Sequence, residues 1–135
     1  PFFWKGQYKG TSRIVCRPQS TEEVASILEY CNKEKIGVVP QAGNTGVVGG
    51  SVPVNDEIIL SVERLNEIHS FDDINGILQC GAGCILQTLQ EKVASWNHLM
   101  PIDLGAKGTC MIGGNVATNA GWVEIPISLL ATVAS

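Results

Sequence analysis

Apolar residues recur with a helical period in two places along the chain. Val24, Ile27, Leu28 and Cys31 fall at i, i+3, i+4 and i+7, which predicts a helix from about Ser20 to Glu34 with one apolar face. Ser20 followed three residues later by Glu23 is a capping box, able to satisfy orphan backbone donors at the helix start, and Gly37 marks its end. Ile85, Leu86, Leu89 and Val93 predict a second helix from about Cys84 to Trp96. Shorter apolar runs read as strands: Arg13–Arg17 ended by Pro18, Val38–Pro40, Ile58–Val62, Glu67–Phe71, and Ile77 to Cys80 after an Asn75-Gly76 turn. The stretch Pro101 to Gly121 has no sustained period and predicts a loop with a short helical turn near its end. Strands and helices mix without strict alternation. The expected class is therefore α+β rather than a doubly wound parallel sheet.

Composition narrows the picture a little. A chain of 135 residues supports one domain with a real core, and 44% hydrophobic residues argue for a globular class and against disorder. A net charge of −4 removes the electrostatic case for nucleic acid or an anionic membrane as partner. No stretch approaches the roughly 20 apolar residues of a membrane span. Cys16, Cys31, Cys80, Cys84 and Cys110 are an odd set with no C-x-x-C pair, so reduced and mostly buried thiols are expected, not a disulfide framework or zinc site. The chain starts at Pro1 without a Met, and its true N-terminus, with any targeting segment, is expected upstream.

Glycine density is the strongest chemical signal. Pro40, Gln41, Ala42, Gly43, Asn44, Thr45, Gly46, Val47, Val48, Gly49, Gly50 and Ser51 form one unbroken loop. Glycine costs backbone entropy, so such a run implies positive φ or close approach of something to the backbone. Successive N–H groups in such a loop form a nest for phosphate. Hydrogen bonds to a charged group are worth roughly 1.5–3 kcal/mol each, so three or four would anchor a dinucleotide without a lysine. An empty surface turn explains this loop equally well when it is taken alone.

Two better-known phosphate motifs fail. No glycine is followed by the Lys-Ser/Thr pair of a Walker loop. Gly81-Ala-Gly83 imitates the start of a dinucleotide fingerprint, but its third glycine position is Leu86 and no βαβ repeat surrounds it. A strand-to-helix turn is the better reading.

A second loop of small residues and side-chain amides runs from Pro101 to Gly121. Asn115, Thr118 and Asn119 carry groups suited to a flat heteroaromatic edge or to ribityl hydroxyls, and Gly113, Gly114 and Ala117 leave room for a ring against the backbone. Two such loops in one short domain are hard to explain as turns.

Together with the capped Ser-Thr-Glu-Glu-Val helix and the Asp56–Ser61 strand, the two loops resemble the paired FAD loops of the vanillyl-alcohol oxidase, or p-cresol methylhydroxylase type, flavoprotein family. The likeness covers roughly residues 4–121. Within that family, Gln41–Pro53 and Asp103–Gly108 are most similar to the flavin-dependent D-2-hydroxyacid dehydrogenases. One departure is Ala42, where the family usually has glycine; a methyl there is tolerable if φ stays negative.

The resemblance implies FAD extended between two α+β subdomains, the first complete and the second truncated. Its pyrophosphate would lie on Gly43–Gly50, with Pro40, Gln41, Ala42 and Ser51 flanking. Its ribityl and flavin portions would lie near Pro101, Asp103, Leu104, Gly105 and the Gly113–Asn119 segment. His69 and His98 lie outside both loops and are expected to face solvent, and Cys110 is read as packing, so the flavin is expected to be non-covalent. Residues 1–121 would form the FAD-binding domain and 122–135 a divergent tail with no domain of its own, because relatives continue after Gly121 with another glycine and a long C-terminal part. The resemblance further implies a small 2-hydroxy acid as substrate, D-2-hydroxyglutarate first and glycolate or D-lactate as alternatives. It implies a divalent metal, zinc, held by a downstream substrate domain rather than this chain, and transfer of electrons to an electron-transferring flavoprotein in mitochondria. No catalytic or metal-ligating residue is assigned here, and the chain alone is expected to be inactive. A truncated, non-catalytic nucleotide-binding module is the reading from a different class.

Overall fold

The structure is a computed structural model that describes residues 2–3 and 8–120; the tail expected over 122–135 lies outside the described residues. Strands β1 (Phe2–Phe3) and β2 (Tyr8–Lys9) pair antiparallel, and β3 (Val15–Cys16) follows.

Helix α1 (Thr21–Glu34) starts where its cap predicts, with the Glu23 N–H donating to Ser20 Oγ at 3.2 Å. The Glu23 carboxylate reaches back to the N–H of Gln19, at 2.7 Å, one residue earlier than in the usual capping box. The helix ends at Glu34 as expected, although the residue that stops it is Lys35 and not Gly37. Lys35 takes the left-handed conformation at φ 56°, and the Ile36 N–H closes onto the Cys31 carbonyl at 2.8 Å. Of the predicted apolar face, Cys31 is buried, Val24 and Ile27 are half-buried, and Leu28 is exposed.

Strands β4 (Val38–Gln41) and β5 (Ile58–Ser61) complete a parallel sheet in the order β3–β5–β4, with Val15 and Val39 both opposite Ile59 and Gln41 opposite Ser61. The central strand is the buried one: Ile59 and Leu60 are sealed, and Ser61 closely follows. Because β4 and β5 are parallel neighbours, the chain must travel back the length of the sheet between them. Here the return is made by the glycine-rich loop, with no helix.

Strands β6 (Ile68–Asp72) and β7 (Ile77–Cys80) form an antiparallel hairpin, with its register shifting between Ile68 and Ser70. Gly76 supplies the positive φ of the turn, and the Asp72 carboxylate accepts from the N–H groups of Ile74 and Asn75 and from the Asn75 amide. Helix α2 (Leu86–Ala94) packs Leu86, Leu89 and Val93 against Leu78 and Cys80 of the hairpin, and Cys84, Cys110 and Ile112 close the same core. A short helix, α3 (Ile112–Ala117), ends the second loop. All five cysteines are free and four are buried, as expected.

One expectation is corrected. His69 is exposed, but His98 is not solvent-facing: its ring stands edge-on to Phe71 with centroids 4.9 Å apart, and its Nδ1 lies 2.8 Å from the Trp96 carbonyl. Phe71 and Trp96 stack at 4.5 Å, so the histidine completes an aromatic cluster where α2 meets the hairpin.

Candidate functional site

The first glycine loop leaves β4 at Gln41, whose backbone is held in the sheet by the Val62 N–H at 3.0 Å. None of the backbone N–H groups of residues 42–50 finds an acceptor among the described residues. The loop closes when the Val52 N–H donates to the Gly49 carbonyl at 3.0 Å, and buried Val52 and Pro53 anchor its exit. Two residues in it have positive φ, Asn44 at 53° and Gly49 at 75°. Gly49 also lies under the Tyr8 ring, whose atoms come within 2.7 Å of where a β-carbon would sit. Gly46 and Gly50 face open space instead. Their bare backbone can be approached by a ligand.

The second loop is tied down through Asp103. Its carboxylate accepts from Lys107 Nζ at 3.1 Å, from Gln90 Nε2 at 3.3 Å and from the Leu104 N–H at 3.0 Å. These bonds, Lys107 first and Gln90 next, hold the Asp103 carboxyl below the ordinary range. Gln90 also donates to the Ile102 carbonyl at 2.9 Å, so α2 carries the loop on its flank. Gly105 faces open space.

The two loops meet. A β-carbon on Gly43 would stand 2.1 Å from the Thr109 carbonyl oxygen, and one on Gly114 would stand 3.2 Å from the Ala42 methyl. Ala42 is not among the residues of positive φ, so its methyl fits the backbone and faces α3. Behind this seam, Gly113 rests on the Gly81–Gly83 turn, with its N–H donating to the Ala82 carbonyl at 2.9 Å. That turn is itself pressed against the Leu65 and Val62 carbonyls, which accounts for both of its glycines as packing.

Individual side chains sit less uniformly than the loops. Gln41 turns onto its own loop, donating to the Ser51 carbonyl at 2.7 Å. Asn115 is buried, and its amide donates to Cys110 Sγ at 3.4 Å. The Thr118 hydroxyl donates to the Gly114 carbonyl at 2.9 Å, and Asn119 is in the left-handed region at φ 51°. Thr45, Pro40, Pro101, Leu104 and Ala117 lie on the same two loops or at their edges. Cys110, read as packing, is buried beside the same seam. Sequence reasoning missed Thr109, whose backbone receives Gly43, and Ala82, which supports Gly113. Their only signal is smallness amid glycines.

The two loops thus meet in a backbone-lined seam, with N–H groups that have no acceptor among the described residues on one side and a small-residue helix on the other. The profile of the FAD binding domain family matches residues 12–125, and the chain belongs to that family. Among curated proteins it is 56% identical over 118 residues to the probable mitochondrial D-2-hydroxyglutarate dehydrogenase of Oryza sativa subsp. japonica, covering 87% of this chain and 21% of that protein. It is 52% identical over 122 residues to the mitochondrial D-2-hydroxyglutarate dehydrogenase of Bos taurus, covering 90% of this chain and 22% of that protein. The chain thus spans about a fifth of the length of the curated relatives it matches. Among solved structures, an alkyldihydroxyacetonephosphate synthase superposes with a TM-score of 0.76 at 22% identity, over 84% of this chain and 23% of that one. That likeness shows a shared fold, and together with the family match it gives the chain the α+β fold of a p-cresol methylhydroxylase-type FAD-binding domain.

Proposed function

We propose that this chain is the FAD-binding part of a mitochondrial dehydrogenase that oxidises D-2-hydroxyglutarate to 2-oxoglutarate. The observation that carries the reading is the seam at Gly43 and Thr109, which joins two glycine-rich loops far apart in sequence into one cradle. Residues fit the cofactor on structural grounds. The N–H groups of residues 43–50 lack acceptors among the described residues, and Gly46, Gly50 and Gly105 leave the space that side chains would fill.

In this reading Gly43–Gly50 hold the pyrophosphate by backbone N–H donation, with no cation required. Gly105 and the segment from Gly113 to Asn119 border the ribityl and flavin portions, with Pro101 and Leu104 alongside. FAD, when bound, supplies a two-electron acceptor for the hydrogen on the alcohol carbon of the substrate. The base for the hydroxyl proton, the cations for the carboxylates and a divalent metal, zinc, belong to a substrate domain other than this one. Lys107 is engaged by Asp103 and serves the loop instead of the substrate. Electrons then leave to an electron-transferring flavoprotein.

The test is direct. Full-length protein, purified with its flavin, is assayed by dye reduction with D-2-hydroxyglutarate, D-lactate and glycolate at matched concentrations. Preference for D-2-hydroxyglutarate in kcat/KM supports the reading. A flavin-loaded protein that ignores it and turns over either alternative would reassign the substrate.

A further inference from the structure

Gln41 was grouped with the cofactor-binding residues by its position, but its side chain does something else. Its Nε2 donates to the Ser51 carbonyl at 2.7 Å, across the mouth of the loop, while its Oε1 accepts from the Asn44 amide at 3.5 Å. Both halves of the amide are used, and the partners fix its orientation. The backbone of Gln41 is locked into β4 by its pairing with Ser61 and by the Val62 N–H. One side chain therefore ties the entry and the exit of the loop to the rigid edge of the sheet. The intervening N–H groups of residues 42–50 have no acceptor of their own among the described residues.

From this we infer that Gln41 is a positioning residue for pyrophosphate binding, acting through the loop and not by touching the ligand; the inference rests on the FAD reading above. Without the strut, the loop must be ordered by the ligand itself, and that ordering cost is subtracted from affinity. The effect is confined to ligands that carry a pyrophosphate.

The experiment uses apo full-length protein and three probes: FAD, ADP and riboflavin. Gln41→Met keeps the side-chain length and removes both hydrogen bonds, and Gln41→Glu keeps only the acceptor. Each variant should bind FAD and ADP about tenfold more weakly, the scale of one lost hydrogen bond plus loop ordering. Riboflavin affinity and the melting temperature of the apo protein should hold at wild-type values. Unchanged ADP affinity, an equal loss for riboflavin, or failure of both variants to fold would each overturn the inference. If the wild type binds neither FAD nor ADP, the FAD reading falls; if the wild type binds both and the variants do so equally, only the role of Gln41 falls.

Discussion

Gly43 and the carbonyl of Thr109 are packed so closely that a β-carbon on the glycine would lie 2.1 Å from the oxygen, inside any real contact. Neither loop can move away at no cost, because Gly43 follows a strand and Thr109 precedes the buried residues Cys110 and Ile112. The adjacent Ala42 tolerates its methyl because that group points towards Gly114 at ordinary backbone geometry.

Gly43→Ala is therefore expected to pry the loops apart. Overpacking of this kind costs about 1–3 kcal/mol, and the displaced loop should lose its flavin as well. Thermal melting and the flavin-to-protein absorbance ratio measure the two effects. A variant that melts like the wild type and stays yellow would show that the loops do not share a seam.

Gly46 and Gly49 should behave differently although they stand three residues apart. Gly46 faces open space, so Gly46→Glu should leave the apo melting temperature unchanged while its carboxylate repels the pyrophosphate and flavin is lost. Gly49 has φ 75° and lies beneath Tyr8, so Gly49→Glu should lose flavin and also about 1–3 kcal/mol of stability. Equal melting temperatures for the two variants would contradict the loop geometry.

Flavin retained by the full-length protein should be released on acid precipitation. Cys110 is 2% exposed and accepts a hydrogen bond from Asn115, and His98 is occupied at Trp96 and Phe71. Both side chains are engaged in packing, which argues against a covalent link through either. The absorbance of the supernatant decides it, and colour confined to the pellet would require a covalent attachment.

Asp103 should make the domain acid-sensitive. Its folded-state pKa is depressed, first by Lys107 and then by Gln90, below the ordinary aspartate value of about 3.9. The charged form is thus favoured by folding, and its contribution is complete above the unfolded pKa and fades as pH falls through the folded one. Asp103→Asn should lower the melting temperature at neutral pH, and its difference from the wild type should shrink between about pH 5 and pH 2. A pH-independent difference would mean that the carboxylate charge does not tie down the loop.

Much of the fold was legible because its signals are local. The Ser20 cap, the periodic faces of both helices and the Asn75-Gly76 turn each act within a few residues, and each element appears within a few residues of its expected place. Gly81 and Gly83 were read correctly as a turn, and the Leu65 and Val62 carbonyls explain why only glycine fits there. The contacts that were not legible join distant residues. Nothing in the neighbourhood of Gly43 announces Thr109, and nothing around His98 announces Phe71. The first helix ends at Glu34 as its period predicts, but its stop signal was misassigned: Lys35 adopts a left-handed cap that usually falls to glycine or asparagine, and Gly37 drew attention instead.

The strand order β3–β5–β4 has a consequence for how the molecule assembles. The strand in the middle of the sheet is the last of the three along the chain, and among the described residues neither flanking strand has another partner. No ladder can begin until the glycine-rich segment has been traversed and residues 58–61 arrive to bridge both neighbours. Closing a longer segment adds only about 0.6 kcal/mol for each doubling of length, so its size weighs little on equilibrium stability. It weighs on rate, because non-local pairing must be found before any is rewarded. Insertions at the exposed Val47–Val48 tip should therefore cost little stability, and that small loss should appear in the refolding rate and not in the unfolding rate, which makes the glycine-rich loop the pacemaker of its own sheet.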